Sequence, residues 1–101
     1  MSVKKNLPIV YTAQAFSNSK SIQEYLFKNF SKKEIEQFYS HLFTFENTVS
    51  IFPKLYPVIN KKFKIRRAVL TKVLTVFYRI VNDRIEVLAI LDSRCDISKW
   101  I

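Results

Sequence analysis

Residues 65–96 read IRRAVLTKVLTVFYRIVNDRIEVLAILDSRCD, and the fold turns on the period of this run. Leu74, Val76, Tyr78 and Ile80 fall on every second position and so share one face of a strand. Ile85, Val87, Ala89 and Leu91 repeat the pattern in the next strand. Between them, Val81-Asn82-Asp83-Arg84 reads as a tight hairpin, because Asn and Asp tolerate the left-handed backbone that glycine would otherwise supply. Thr71-Lys72 makes the preceding turn, and the β-rich stretch KFKIRRAVLT supplies the strand before it. Three strands joined by short turns form an antiparallel meander.

Upstream the period changes. LPIVY is a short first strand whose Pro8 suits a strand start or an edge. From Thr12 or a few residues later, Ala15, Ile22, Leu26 and Phe30 recur at helical spacing, through a Ser/Asn cluster at 17–21 that is poor helix interior. Ser31 and Glu34 then form a capping box, in which the first hydroxyl and the later carboxylate cover exposed amides at a helix start. Behind it Ile35, Phe38, Leu42, Phe45 and Val49 make one apolar stripe with Tyr39 beside it, ending before Pro53. The predicted architecture is α+β, in the order β-α-α-β-β-β: a helical hairpin packed on a small antiparallel sheet, as one domain over residues 1–101.

Composition removes several functions. The chain has no glycine, which excludes P-loop and dinucleotide-binding turns. No apolar run is long enough to span a bilayer, and the N-terminus does not read as a secretory signal, so a cytoplasmic protein without a membrane partner is expected. Cys95 is the single cysteine and His41 the single histidine, far apart in sequence, so neither a disulfide nor a metal site is expected, and nothing points to a cofactor. The net charge is +9. Its location is informative: no acidic residue occurs between Asn47 and Asn82, where Lys54, Lys61, Lys62, Lys64, Arg66, Arg67, Lys72 and Arg79 all lie. The other nine basic residues face eight acidic ones, so one region of the fold is strongly electropositive and suits a polyanionic partner, or is a solvated face kept soluble by charge.

The order of elements and the run from Ile65 to Asp96 resemble the RelE/ParE family of bacterial type II toxins. An arginine-bearing strand, a short turn, a YRI strand, a polar hairpin and a last strand ending in Arg-x-Asp are that family's pattern, with Arg66, Tyr78, Arg79, Arg94 and Asp96 in the matching places. The resemblance extends back through YTAQAFSNSKSIQEYL, where Ser19 stands in a place that relatives usually fill with Leu. It implies a toxin neutralised by a cognate acidic antitoxin. The expected docking surface is the groove between helices and sheet, with Ile22, Tyr25, Phe38 and Phe45 as candidates; periodicity alone does not separate such a groove from core.

The family divides by activity. RelE-like members resemble ribonucleases that cut messenger RNA on the ribosome, a reaction needing a base, an acid and cations around the strained phosphate. Lys64, within the Lys61, Lys62 and Lys64 cluster, with Arg66 and Arg94, would be the catalytic candidates. ParE-like members bind DNA gyrase instead. Six residues after Arg94 the RelE-like pattern carries Tyr; this chain carries Trp100, whose indole exchanges no proton near neutrality. The ParE-like reading is therefore preferred, with Arg66, Arg67, Lys72, Arg79, Arg94 and Trp100 as the expected target-binding set, Trp100 serving either the target or the core. A degenerate toxin that only binds antitoxin is a third possibility, and a generic RNA-binding module the last.

Overall fold

A three-residue strand, β1 (Ile9–Tyr11), passes the chain to helix α1 (Ala13–Asn29) at Thr12. Thr12 is extended, and its hydroxyl accepts the Ala15 N–H at 3.1 Å, so the helix begins at once on a threonine N-cap. The computed structural model describes residues 6–95; Asp96 and Trp100 lie outside the described residues.

Helix α1 runs straight through the Ser/Asn cluster. Asn18 is buried there beside Ala15, Ile22 and Leu26, and its side-chain oxygen accepts the Ile90 N–H at 3.1 Å. A buried asparagine is tolerated because it satisfies a strand amide that has outrun its neighbour. Helix α2 (Lys32–Ile51) follows, with Glu34 reaching back to accept from the Ser31 N–H at 3.1 Å and from the Ser31 hydroxyl. This local bonding holds the Glu34 carboxyl below its usual range. The stripe Phe38, Leu42, Phe45 and Val49 is buried, as its spacing predicts. The helix stops short of Pro53, which cannot continue it.

Four more strands complete the sheet: β2 (Val58–Asn60), β3 (Ile65–Val69), β4 (Leu74–Val81) and β5 (Arg84–Asp92), in the spatial order β1-β5-β4-β3-β2. The α+β helical hairpin on a small sheet is thus the one expected, with two additions. Strand β2 is a further edge strand. Strand β1 pairs parallel with β5, so the sheet is mixed. The Ile85 N–H bonds to the Pro8 carbonyl at 2.8 Å and the Thr12 N–H to the Val87 carbonyl at 3.1 Å, which fixes that pairing at both ends. The β4–β5 hairpin turns on Asn82, at φ 55° in the left-handed region.

The predicted inner face of β5 needs one correction. Ile85 and Val87 point to the core, but Ala89 and Leu91 do not; Ile90 and Asp92 are buried instead. Tyr78 pairs with Val87 whereas Phe77 pairs with Ala89, so Leu88 is an extra residue, a β-bulge that reverses the alternation. The bulge coincides with the end of β1. From there α1 supplies the edge: the Thr12 hydroxyl donates to the Leu88 carbonyl at 3.1 Å, and Asn18 serves Ile90. Asn18→Ala strands a buried amide and should cost about 1–3 kcal/mol. Urea denaturation reads the loss, and accelerated exchange at the Ile90 amide locates it. A variant of unchanged stability would remove Asn18 from this role.

Candidate functional site

The cations that looked like one cluster in sequence are distributed over three places. Arg66 lies on the helix-facing side of β3, two residues from buried Ala68, and is tied down. Its Nη1 donates to the Tyr56 carbonyl at 2.6 Å and to the Lys54 carbonyl at 3.2 Å. Beside it the Tyr78 hydroxyl donates to the Pro53 carbonyl at 2.8 Å. The rings of Phe45, Tyr56 and Tyr78 meet edge to face or tilted, at centroid separations of 5.5–6.3 Å. Arg66 and Tyr78 therefore pin the connection from α2 to β2.

Arg94 sits at the other end of the sheet. Its Nε donates to Asp92 Oδ1 at 2.9 Å and its Nη2 to Asp92 Oδ2 at 2.6 Å, a two-pronged pair with a carboxylate that is fully buried. Those bonds raise the guanidinium above its already high ordinary value. Its other side lies 5.4 Å from the centroid of Phe30, and it lines a cleft of about 180 Å³ with Glu34, Gln37 and His41. Arg66 belongs to the row of β4 at Tyr78, and Asp92 to the row at Leu74. Four residues of strand separate the rows, roughly 13 Å, with Arg94 further on. Lys64 is exposed at the β2–β3 tip beside Lys61, Lys62 and Phe63, at φ 56°. Lys64, Arg66 and Arg94 thus do not converge on one point.

Arg67 and Arg79 share the uncovered face of the sheet. Arg67 is opposite Phe77, and Arg79 lies two residues further along β4, its Nε bonded to Glu86 Oε1 at 2.8 Å. Lys72 is exposed in the β3–β4 turn. Among the expected target contacts these three are on or beside the open face; Arg66 is committed to a loop and Arg94 to Asp92, and Trp100 lies outside the described residues.

The expected antitoxin contacts also need correction. Ile22, Phe38 and Phe45 are 0–1% exposed, in the core, and a side chain without surface offers nothing to a partner. Tyr25 is half-buried against Phe30. The apolar surface lies one position further round each helix. Phe16 and Phe43 are 68% and 63% exposed, and with Tyr11, Ser19, Tyr39, Leu42 and Glu46 they line a groove of about 490 Å³. Ser19 is one of its walls. The Tyr39 hydroxyl donates to Gln23 at 2.5 Å across the two helices, and the Tyr11 hydroxyl to Glu46 at 2.5 Å. The signal was present in sequence: Tyr39, Phe43 and Glu46 each follow a core residue by one, a second stripe about 100° round the helix.

Burial, with the Glu46 carboxylate beside it, pushes the Tyr11 phenol far above its ordinary value near 10. Burial also raises Tyr78. A raised folded-state value means that the unfolded chain ionises first, so stability present below pH 10 is lost as pH rises above it. In an alkaline absorbance titration Tyr11 should ionise only well above its ordinary value, and Tyr11→Phe should remove that late step; its absence from the wild-type curve would contradict this burial.

No protein-family model matches this sequence, and no curated protein is significantly similar to it. Among solved structures, a chain of the chromosomal ParDE TA system from P. aeruginosa matches with a TM-score of 0.70, over 85% of this chain and 95% of that one. The two chains share a ParE-like fold. Their sequences are 10% identical, so the likeness is one of backbone path, and the groove, the anchored arginines and the open face rest on this chain's own residues. No helix among the described residues is long and apolar enough to cross a membrane, and they contain no group of three or more His, Cys, Asp or Glu that would hold a metal ion.

Proposed function

We propose that this protein is the toxin of a type II toxin–antitoxin pair, acting in the cytoplasm by binding a cellular target such as DNA gyrase and held inactive by a cognate acidic antitoxin. The observation that carries the reading is the fold shared, nearly end to end, with a chain of a ParDE system. Charge supports it. A +9 chain whose cations crowd between Asn47 and Asn82 calls for an acidic counterpart. The antitoxin is assigned to the aromatic groove of Phe16, Tyr39 and Phe43, and the target to the open face with Arg67, Lys72 and Arg79. Messenger-RNA cleavage is the lesser reading, because Lys64, Arg66 and Arg94 point to separate places and two of the three already hold structural partners.

Induction of the chain alone in a bacterial host tests this. Growth should stop within minutes while messenger-RNA 5′ ends stay unchanged, and plasmid supercoiling should shift as gyrase is inhibited. Charge reversal of Arg67 together with Lys72 should relieve the arrest without lowering the melting temperature. New ends phased to codons would transfer the chain to the nuclease reading, and no arrest would mark a toxin that retains only antitoxin binding.

A further inference from the structure

Glu46 is out of keeping with its surroundings. The protein carries 17 basic and 8 acidic residues, yet this carboxylate is half-buried in a groove whose other walls are mostly aromatic or aliphatic. Its hydrogen-bond partner among the described residues is the neutral Tyr11 hydroxyl, and no described cation lies within ion-pairing distance of it. A carboxylate drawn partly out of water beside apolar walls is costly unless a cation joins it. One oxygen is occupied by Tyr11, and a carboxylate has room for further donors on the other. The surrounding rings, Tyr11, Phe16, Tyr39 and Phe43, are the side chains that attract a cation by their π faces.

We propose that this groove is a cation subsite, which receives one arginine or lysine from the apolar face of an amphipathic helix on the neutralising partner. The inference rests on the toxin–antitoxin reading and adds to it. Bulk charge selects an acidic partner, whereas the groove selects a single basic residue within that partner's apolar stripe, flanked by side chains that fit against Phe16 and Phe43. Two antiparallel helices with a trough between them offer a third helix the ordinary ridge-and-groove seat. A Leu at Ser19 would fill part of that trough; serine leaves it open.

The test uses the full chain and fluorescent helical peptides of about 18 residues, five turns, with a leucine stripe and one variable central position. The peptide with Arg at that position should bind at least about tenfold more tightly than its Gln counterpart, and the Glu counterpart more weakly still. Glu46→Gln, which keeps an oxygen for the Tyr11 hydroxyl, should abolish the preference, and Glu46→Lys should invert it. Phe43→Ala should weaken all three peptides alike. Equal binding of Arg and Gln peptides, a preference that survives Glu46→Gln, or no binding of any peptide overturns the proposal. Wild-type growth arrest is measured separately, so a failed subsite and a failed toxin reading give different results.

Discussion

Phe45→Ala is expected to remove about 3–5 kcal/mol of folding stability, while Phe43→Ala, two residues away, leaves it within about 0.5 kcal/mol. Phe45 is 1% exposed, and its ring meets Tyr78 at 5.5 Å and Tyr56 at 6.2 Å. Truncation opens a cavity under the connection that Arg66 and Tyr78 hold, so the loss extends beyond the ring's own burial. A domain of this size has about 5–15 kcal/mol in total, and the variant would be partly unfolded at moderate temperature. Phe43 has most of its ring in water already and has little to lose. Its effect belongs to binding, where an exposed aromatic anchor is worth about 2 kcal/mol or more, roughly thirtyfold in affinity for an amphipathic helix. Urea denaturation and peptide binding on the two variants separate core from docking surface. Equal effects of both on stability would show that the second stripe is packed rather than presented.

The second large effect concerns Arg94 and Asp92, and it is asymmetric. Arg94→Ala leaves a fully buried carboxylate with little besides the Arg94 N–H at 3.0 Å to balance it, and should cost about 3–5 kcal/mol. Asp92→Ala frees a guanidinium that is 25% exposed and swings into water, at a cost of about 1–2 kcal/mol. The double variant should therefore be more stable than Arg94→Ala alone. Thermal unfolding of the three variants decides this. A double variant less stable than both singles would show that the pair contributes through packing rather than charge. The proposed growth arrest must be scored only in variants that remain folded, since its loss in Arg94→Ala alone would report on the fold.

Much of this architecture was legible in sequence because its signals were local. The Asn82 turn, the Ser31–Glu34 cap and the stripe from Phe38 to Val49 are each set by residues within a few positions of one another. The β5 bulge was not legible. IEVLAIL is apolar at nearly every position, so both alternations read equally well, and the choice is made by Thr12 and Asn18 more than 70 residues away in sequence. Strand β2 is only three residues long, too short for an alternation to show, although Asn60 marks its turn by accepting the Phe63 N–H at 2.9 Å. The site was read less well than the fold. Arginine spacing says nothing about which face or which carbonyl each guanidinium reaches, so Arg66 and Arg94 both read as catalytic or target-binding candidates, whereas each has a structural partner of its own. The groove was hidden for a related reason: a second apolar stripe beside the first reads as a wider core until the sheet shows which stripe it covers.

Strand β5 lies between β1 and β4, yet among the described strands it comes last in chain order. Until residues 84–92 exist, β1 has no neighbour, and Thr12 and Asn18 have nothing to bond. A nascent chain that stops at Ile80 can form its helical hairpin but cannot close the sheet beneath it. Closing the sheet therefore waits for residues 84–92 and joins segments more than 70 positions apart. Any surface that needs both the helices and the closed sheet exists only once residues 84–92 have joined β1 to β4.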